Sequence, residues 1–161
     1  MKKNLTACLA MVLFGCMQSL AQQSPLVGTW EMIAGKITNP DGKQESFDTL
    51  TYREMKIITP THYMFMAYNK SGGHNAHDNA WIFQRSMGGT VKITGNKFVE
   101  TPTIASNPDE LRIITDLTWK VQDNKLIQKG WFVTADGKKY MLDELIFRRV
   151  GPAQKVMATS K

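Results

Sequence analysis

The sequence predicts an all-β protein: one up-and-down antiparallel barrel of about nine strands behind an N-terminal signal segment. Three observations carry this expectation. Nearly every stretch past residue 25 alternates apolar with polar residues, or forms a short run rich in β-branched and aromatic side chains. Turn sequences divide these stretches at loop lengths of about two to five residues, which favours sequential antiparallel pairing. No stretch beyond the first 21 residues sustains helical periodicity. A meander of this kind leaves two open edges, and closing it into a barrel removes both.

The first element is an export signal over residues 1–21. Lys2 and Lys3 give a positive start, an apolar run follows over residues 5–15, and Ser19-Leu20-Ala21 places small residues where a signal peptidase reads them. The run is shorter than the ~20 apolar residues of a membrane-spanning helix. Cleavage after Ala21 makes Gln22 the mature N-terminus, residues 22–25 a short linker, 26–151 the barrel and 152–161 a flexible tail. Leu13, Gly15 and Cys16 also fit a lipoprotein box, although Phe14 is bulky for one, so a lipid anchor at Cys16 is the alternative to a periplasmic or secreted protein. Cys8 lies within the signal, so no disulfide is expected in the barrel, which must stand on its core.

Strands follow in order. Residues 29–38 form the first, ended by the turn sequence Asn39-Pro40-Asp41-Gly42. Residues 50–58 and 62–68 flank Thr59-Pro60-Thr61, and a loop rich in Gly, Asn and His fills 69–79. Residues 81–86 and 90–93 read as separate strands around Gly88-Gly89, and Gly95-Asn96 turns the chain into 97–103. After Ser106-Asn107-Pro108-Asp109 comes a long strand at 111–121, then 126–134 beyond Asp123-Asn124, then 139–150 beyond Asp136-Gly137.

Composition narrows the function. Of 161 residues, 140 remain after cleavage, enough for one domain. The formal charge falls from +6 to +4, and the lysines are scattered along the chain, with small clusters only at Lys138-Lys139 and Arg148-Arg149. A nucleic-acid binder gathers basic residues into a patch or stripe, so nucleic acid is not an expected partner. No fingerprint of a serine hydrolase, phosphate loop, metalloprotease helix or dinucleotide site occurs, and no cofactor is expected.

Leu26-Val27-Gly28-Thr29-Trp30 resembles the Gly-x-Trp signature of the lipocalin and calycin superfamily. The segments 56–64, 89–100, 119–126 and 147–150 resemble successive hairpins and the final strand of small secreted lipocalin-like bacterial domains, so the likeness covers about residues 26–150. It implies a lipocalin-like barrel that encloses small molecules, with Arg148 or Arg149 capping Trp30; it implies no catalytic mechanism. Phe147 stands where typical members carry a tryptophan.

Candidate site residues come from chemistry and strand parity. Met64 and Met66, with the rings of Trp81, Phe83 and Trp131, would suit an irregular apolar ligand, or equally an irregular core. His62 shares their strand, Glu100 follows Phe98 at two-residue spacing, and Arg53 or Glu100 would orient a ligand. His62 and Glu100 would be the acid–base pair if the barrel were an isomerase or lyase; the plainer reading pairs Glu100 with Arg53, Lys56 or Arg112. His74, His77 and Asp78 bring metal-ligating chemistry to the Gly-rich loop, though a solvated loop explains them as well. The leading expectation is a non-catalytic binder of a small hydrophobic or amphipathic molecule, with no membrane-spanning segment in the mature chain. The alternatives are the His62/Glu100 enzyme and a surface interaction module with a filled core. The sequence assigns no oligomeric state.

Overall fold

The computed structural model describes residues 24–70 and 81–151. The expected signal, the loop carrying His74, His77 and Asp78, and the tail from residue 152 lie outside the described residues.

Among the described residues nine strands make one antiparallel sheet: β1 (Gly28–Thr38), β2 (Gln44–Asp48), β3 (Tyr52–Ile58), β4 (His62–Lys70), β5 (Trp81–Thr94), β6 (Lys97–Ala105), β7 (Ile113–Gln122), β8 (Lys125–Thr134) and β9 (Lys139–Arg149). Each strand from β3 to β9 pairs with the next, and β1 pairs with β9 from Trp30↔Arg149 to Thr38↔Leu142, which closes the barrel. On its other side β1 is shared: its first half pairs with β3 and its second half with β2. The result is an eight-stranded barrel with one extra strand, β2, laid beside the far half of β1.

The count of nine agrees with the sequence, but two of its members differ. Residues 81–94 are one strand, not two, because Gly88-Gly89 marks a register shift rather than a break. A Cβ at Gly89 would run into the backbone of Thr101 and Pro102, so glycine lets β6 approach there. β2 carries a single large apolar residue, Phe47, and so gives little alternation to read. Residues 108–112, expected to lead into the long strand, instead form a short 3-10 helix (Pro108–Arg112) capped by Asn107.

One end of the barrel is closed. Val91 N–H bonds the Thr61 carbonyl, Trp119 N–H that of Asn96 and Arg149 N–H that of Asn124, tying the turns there to neighbouring strands. Above these turns Trp30, Ile58, Phe98, Leu117, Leu126 and Phe147 fill the taper, none more than 1% exposed. The turn after β1, the 3-10 helix and the β8–β9 turn ring the opposite end. No helix of the described residues is long and apolar enough to cross a membrane.

Candidate functional site

Strand parity builds the site. On β3 the buried positions are Glu54, Lys56 and Ile58; on β4 they are Tyr63, Phe65 and Ala67. Along several strands the inward residues run from a large apolar side chain at the closed end to a polar or charged one further up: Ile58 to Lys56 and Glu54, Phe98 to Glu100, Leu117 to Thr115, Leu126 to Gln128, Phe147 through Leu145 to Asp143. A packed apolar base therefore supports a buried polar floor. Glu54, Lys56, Glu100, Thr115, Gln128 and Asp143 are each at most 5% exposed.

The floor is a connected network. Lys56 Nζ lies 3.2 Å from Glu100 Oε1 and donates to Gln128 Oε1 at 3.4 Å. Gln128 Nε2 donates to Asp143 Oδ2 at 3.3 Å, and Thr115 Oγ1 to Glu100 Oε2 at 2.9 Å. Nearer the mouth Tyr52 OH donates to Glu54 Oε2 at 3.0 Å, and Arg85 pairs with Glu110 of the 3-10 helix at 3.6 Å. Among the described residues, Asp143 Oδ1 is buried with no hydrogen-bond partner, and Glu100 Oε1 has only its ion pair with Lys56. A buried oxygen left in that state is costly unless something supplies a donor.

Burial and neighbouring charge set the protonation. Burial works against the Lys56 ammonium, but Glu100, Glu54 and Asp143 around it hold its pKa above the ordinary value. Burial pushes the Asp143 carboxyl up to about 7; Lys56 opposes the rise, while Glu54 and Glu100 add to it. The Tyr52 hydroxyl is raised by burial and by Glu54 beside it.

Above the floor is a chamber walled by Ile37, Phe47, Phe65, Phe132 and Leu145 together with Glu54, Lys56, Arg85, Glu100 and Asp143. The space it encloses is about 20 Å³, room for a water or two, and it opens at the mouth to solvent. This is an apolar-sided cup with a charged bottom.

Of the eight residues expected to line a ligand, Glu100 alone reaches this chamber. The parity expected of β4 is reversed: Tyr63, Phe65 and Ala67 face inward, leaving Met64 and Met66 on the outer surface at 48% and 38% exposure. His62 is exposed as well, its Nδ1 2.8 Å from Thr61 Oγ1, on the outside of the wall that buries Glu100. His62 and Glu100 thus do not form an acid–base pair. Arg53 is exposed and stacks on half-buried Trp81 at 4.1 Å, Phe83 meets Tyr68 edge-on at 5.7 Å, and Trp131 is partly covered by Lys139 at 5.7 Å. These aromatic and cationic pairs decorate the exterior rather than the cup. Glu100 takes the partner expected of it, Lys56, but inside the barrel.

Sequence reasoning named Lys56 only as one of three partners for Glu100 and missed Glu54, Arg85, Gln128 and Asp143. A signal was present for most of them: Glu54, Lys56, Gln128 and Asp143 stand in period-two register with a large apolar residue of the barrel base, as Asp143 does with Leu145 and Phe147, whereas Arg85 does so only with Met87 of the chamber wall. Among the described residues no group of three His, Cys, Asp or Glu side chains is arranged to hold a metal ion.

No family model matches the chain, and no curated protein does. Among solved structures it is similar to the crystal structure of Rv2717c from M. tuberculosis, at 13% identity, covering 80% of this chain and 94% of that one, with a TM-score of 0.41. At that distance the likeness says nothing about this chain's chemistry.

Proposed function

We propose that this chain is an exported, lipocalin-like binding protein that takes a small amphipathic molecule into the open end of its barrel. The observation that carries the reading is the cup itself: apolar side chains around the mouth, and below them a buried carboxylate oxygen of Asp143 that lacks a donor. Binding pockets are commonly apolar with a few placed polar groups, and here the polar groups lie together at the bottom. A ligand that is apolar throughout would leave Asp143 and Glu100 facing hydrocarbon, so the ligand's inner end is polar.

Methionine methyl signals test this on the intact protein. Met87 lines the chamber, whereas Met64 and Met66 sit outside it. Titration with short-chain amines, acids and alcohols should shift the Met87 methyl saturably and leave Met64 and Met66 unmoved. If no member of such a panel moves Met87, the barrel does not bind small amphiphiles. Export has its own test. Mass spectrometry of protein from a bacterial host should find Gln22 at the N-terminus, and a lipidated species starting at Cys16 would replace the released form with an anchored one.

One observation favours a second reading. Asp143 lines the chamber, and burial pushes its carboxyl up to about 7, the range in which a general acid or base works. An enzyme built on this barrel would use Asp143, with Lys56 as its electrostatic neighbour, in place of His62. Turnover lost in Asp143→Asn while ligand affinity persists would favour that reading over simple binding.

A further inference from the structure

Resting on the binding reading, we infer that the polar end of the ligand is a protonated primary amine. Its ammonium group, about the size of the water this space holds, would lodge against Asp143 on the chamber floor, with its short carbon chain running past Phe47, Phe65 and Phe132 toward the open mouth. Three features of the chamber point the same way.

The first is charge. Among the described residues, Glu54, Glu100 and Asp143 share the wall with two cations, Lys56 and Arg85, and Arg85 is further shared with Glu110. An anionic head would enter a space richer in carboxylates than in cations, where both cations already have partners. The second is hydrogen bonding. Among the described residues the chamber-wall side-chain atom without a partner is a carboxylate oxygen, Asp143 Oδ1, and Glu100 Oε1 has only its ion pair with Lys56; both oxygens only accept when ionised. What the floor lacks is donors, and an ammonium brings three of them and no acceptor. The third is the company of rings. Phe47, Tyr52, Phe65 and Phe132 turn toward the same space, and aromatic faces attract an ammonium and its flanking methylenes. Lys56 already shows the arrangement with the protein's own amine, 5.7 Å from the Phe65 ring and 5.6 Å from the Phe147 ring while paired with Glu100.

The proposal includes a pH dependence. Asp143 is faced by Lys56 and Glu54 from β3, Arg85 from β5 and Glu100 from β6; Gln128 from β8 is neutral, and its register partner on β1 is the uncharged Ile37. Its carboxyl holds a proton to unusually high pH, and an incoming ammonium favours the ionised form. Binding at neutral pH should therefore release a proton, and amine affinity should rise as pH increases through the range in which Asp143 ionises.

Calorimetry and methionine-methyl spectra of the intact protein with butylammonium, butyrate and 1-butanol at pH 6 and pH 8 test the inference. Butylammonium should bind saturably, move the Met87 methyl, and bind about tenfold more tightly at pH 8 than at pH 6. Butyrate should show no saturable binding. Asp143→Asn should lose the pH dependence and about tenfold in affinity at pH 8, and the wild-type comparison stands even if that variant folds poorly. Butanol or butyrate binding as tightly as the amine, or amine binding indifferent to pH, would overturn the amine assignment and leave the barrel a binder. Absence of any Met87 response to all three would remove both.

Discussion

Trp30 is fully buried at the base of the barrel, where its indole N–H donates to the Leu26 carbonyl at 2.8 Å and the Arg149 guanidinium stacks on its ring at 4.1 Å. Arg149 also donates to the carbonyls of Val27 and Pro25, so one side chain ties the last strand to the segment before the first. Arg148, its neighbour, points the other way and pairs with Glu31 on the surface. Gly28 is required beside them, since its φ of +154° disfavours other residues and a Cβ there would meet the Arg149 guanidinium. Truncating Trp30 to alanine should cost ~3–5 kcal/mol in urea unfolding, the usual loss for a buried ring. Asp143 is the other residue whose removal is informative. The unfolded chain ionises this carboxyl near pH 3.8, whereas the folded protein keeps the proton until about 7. Between those values the native state holds more protons, so the contribution of Asp143 to stability falls as pH rises and levels off above 7. Asp143→Asn should therefore gain ~1–3 kcal/mol relative to wild type between pH 5 and pH 8. Equal shifts in unfolding midpoint at both pH values would refute the assignment.

At the level of elements, β4 shows how much a parity decides. Its residues are apolar on both faces, with Tyr63, Phe65 and Ala67 on one and Met64, Met66 and Tyr68 on the other. The barrel takes the first set inward. Phe65 pairs across to Met87 and Lys56, both of which line the chamber with it. On the outer face Met64 and Met66 lie beside Ile57 and Met55 of β3. Phe65→Ala should cost ~3–5 kcal/mol, whereas Met64→Ala, at a position 48% exposed, should stay within about 0.5–1 kcal/mol. Thermal unfolding of the two variants distinguishes the faces directly, and a reversed order would mean the strand sits one residue out of register.

For the whole molecule, closure through β1 and β9 gives the barrel an interior, and the taper at the Trp30 end makes that interior a cup rather than a channel. The base is packed with rings and aliphatic side chains, so the buried charges above it have little access to water from below. Low polarity there strengthens the Lys56–Glu100 attraction and raises the Asp143 carboxyl by the same physics. The filled-core alternative, a surface interaction module, fits this arrangement less well. A core meant only to be full would not place six polar or charged residues at 5% exposure or less, nor leave a carboxylate oxygen unpaired beside a chamber.

What the sequence determined by itself was the architecture: the alternating strands, the turns at Asn39-Pro40-Asp41-Gly42 and Asp123-Asn124, and the pairing of Trp30 with one of two arginines. These are local or nearly local facts. Turn chemistry acts within four residues, as the positive φ angles of Asp123 and Asn124 illustrate, and a strand's period of two is written into each segment separately. The tertiary structure alone decided which period faced inward. On β4 both faces are apolar, so nothing within the strand distinguishes Phe65 from Met64 until β3, β5 and the barrel base surround it. The floor was hidden for a related reason. Lys56, Glu100 and Gln128 come from three separate strands and Asp143 from a fourth, and a lone charge on a strand reads as surface. Only closure of the sheet brings those charges together, because their mutual pairing is what makes burial tolerable, and that pairing exists nowhere along the chain.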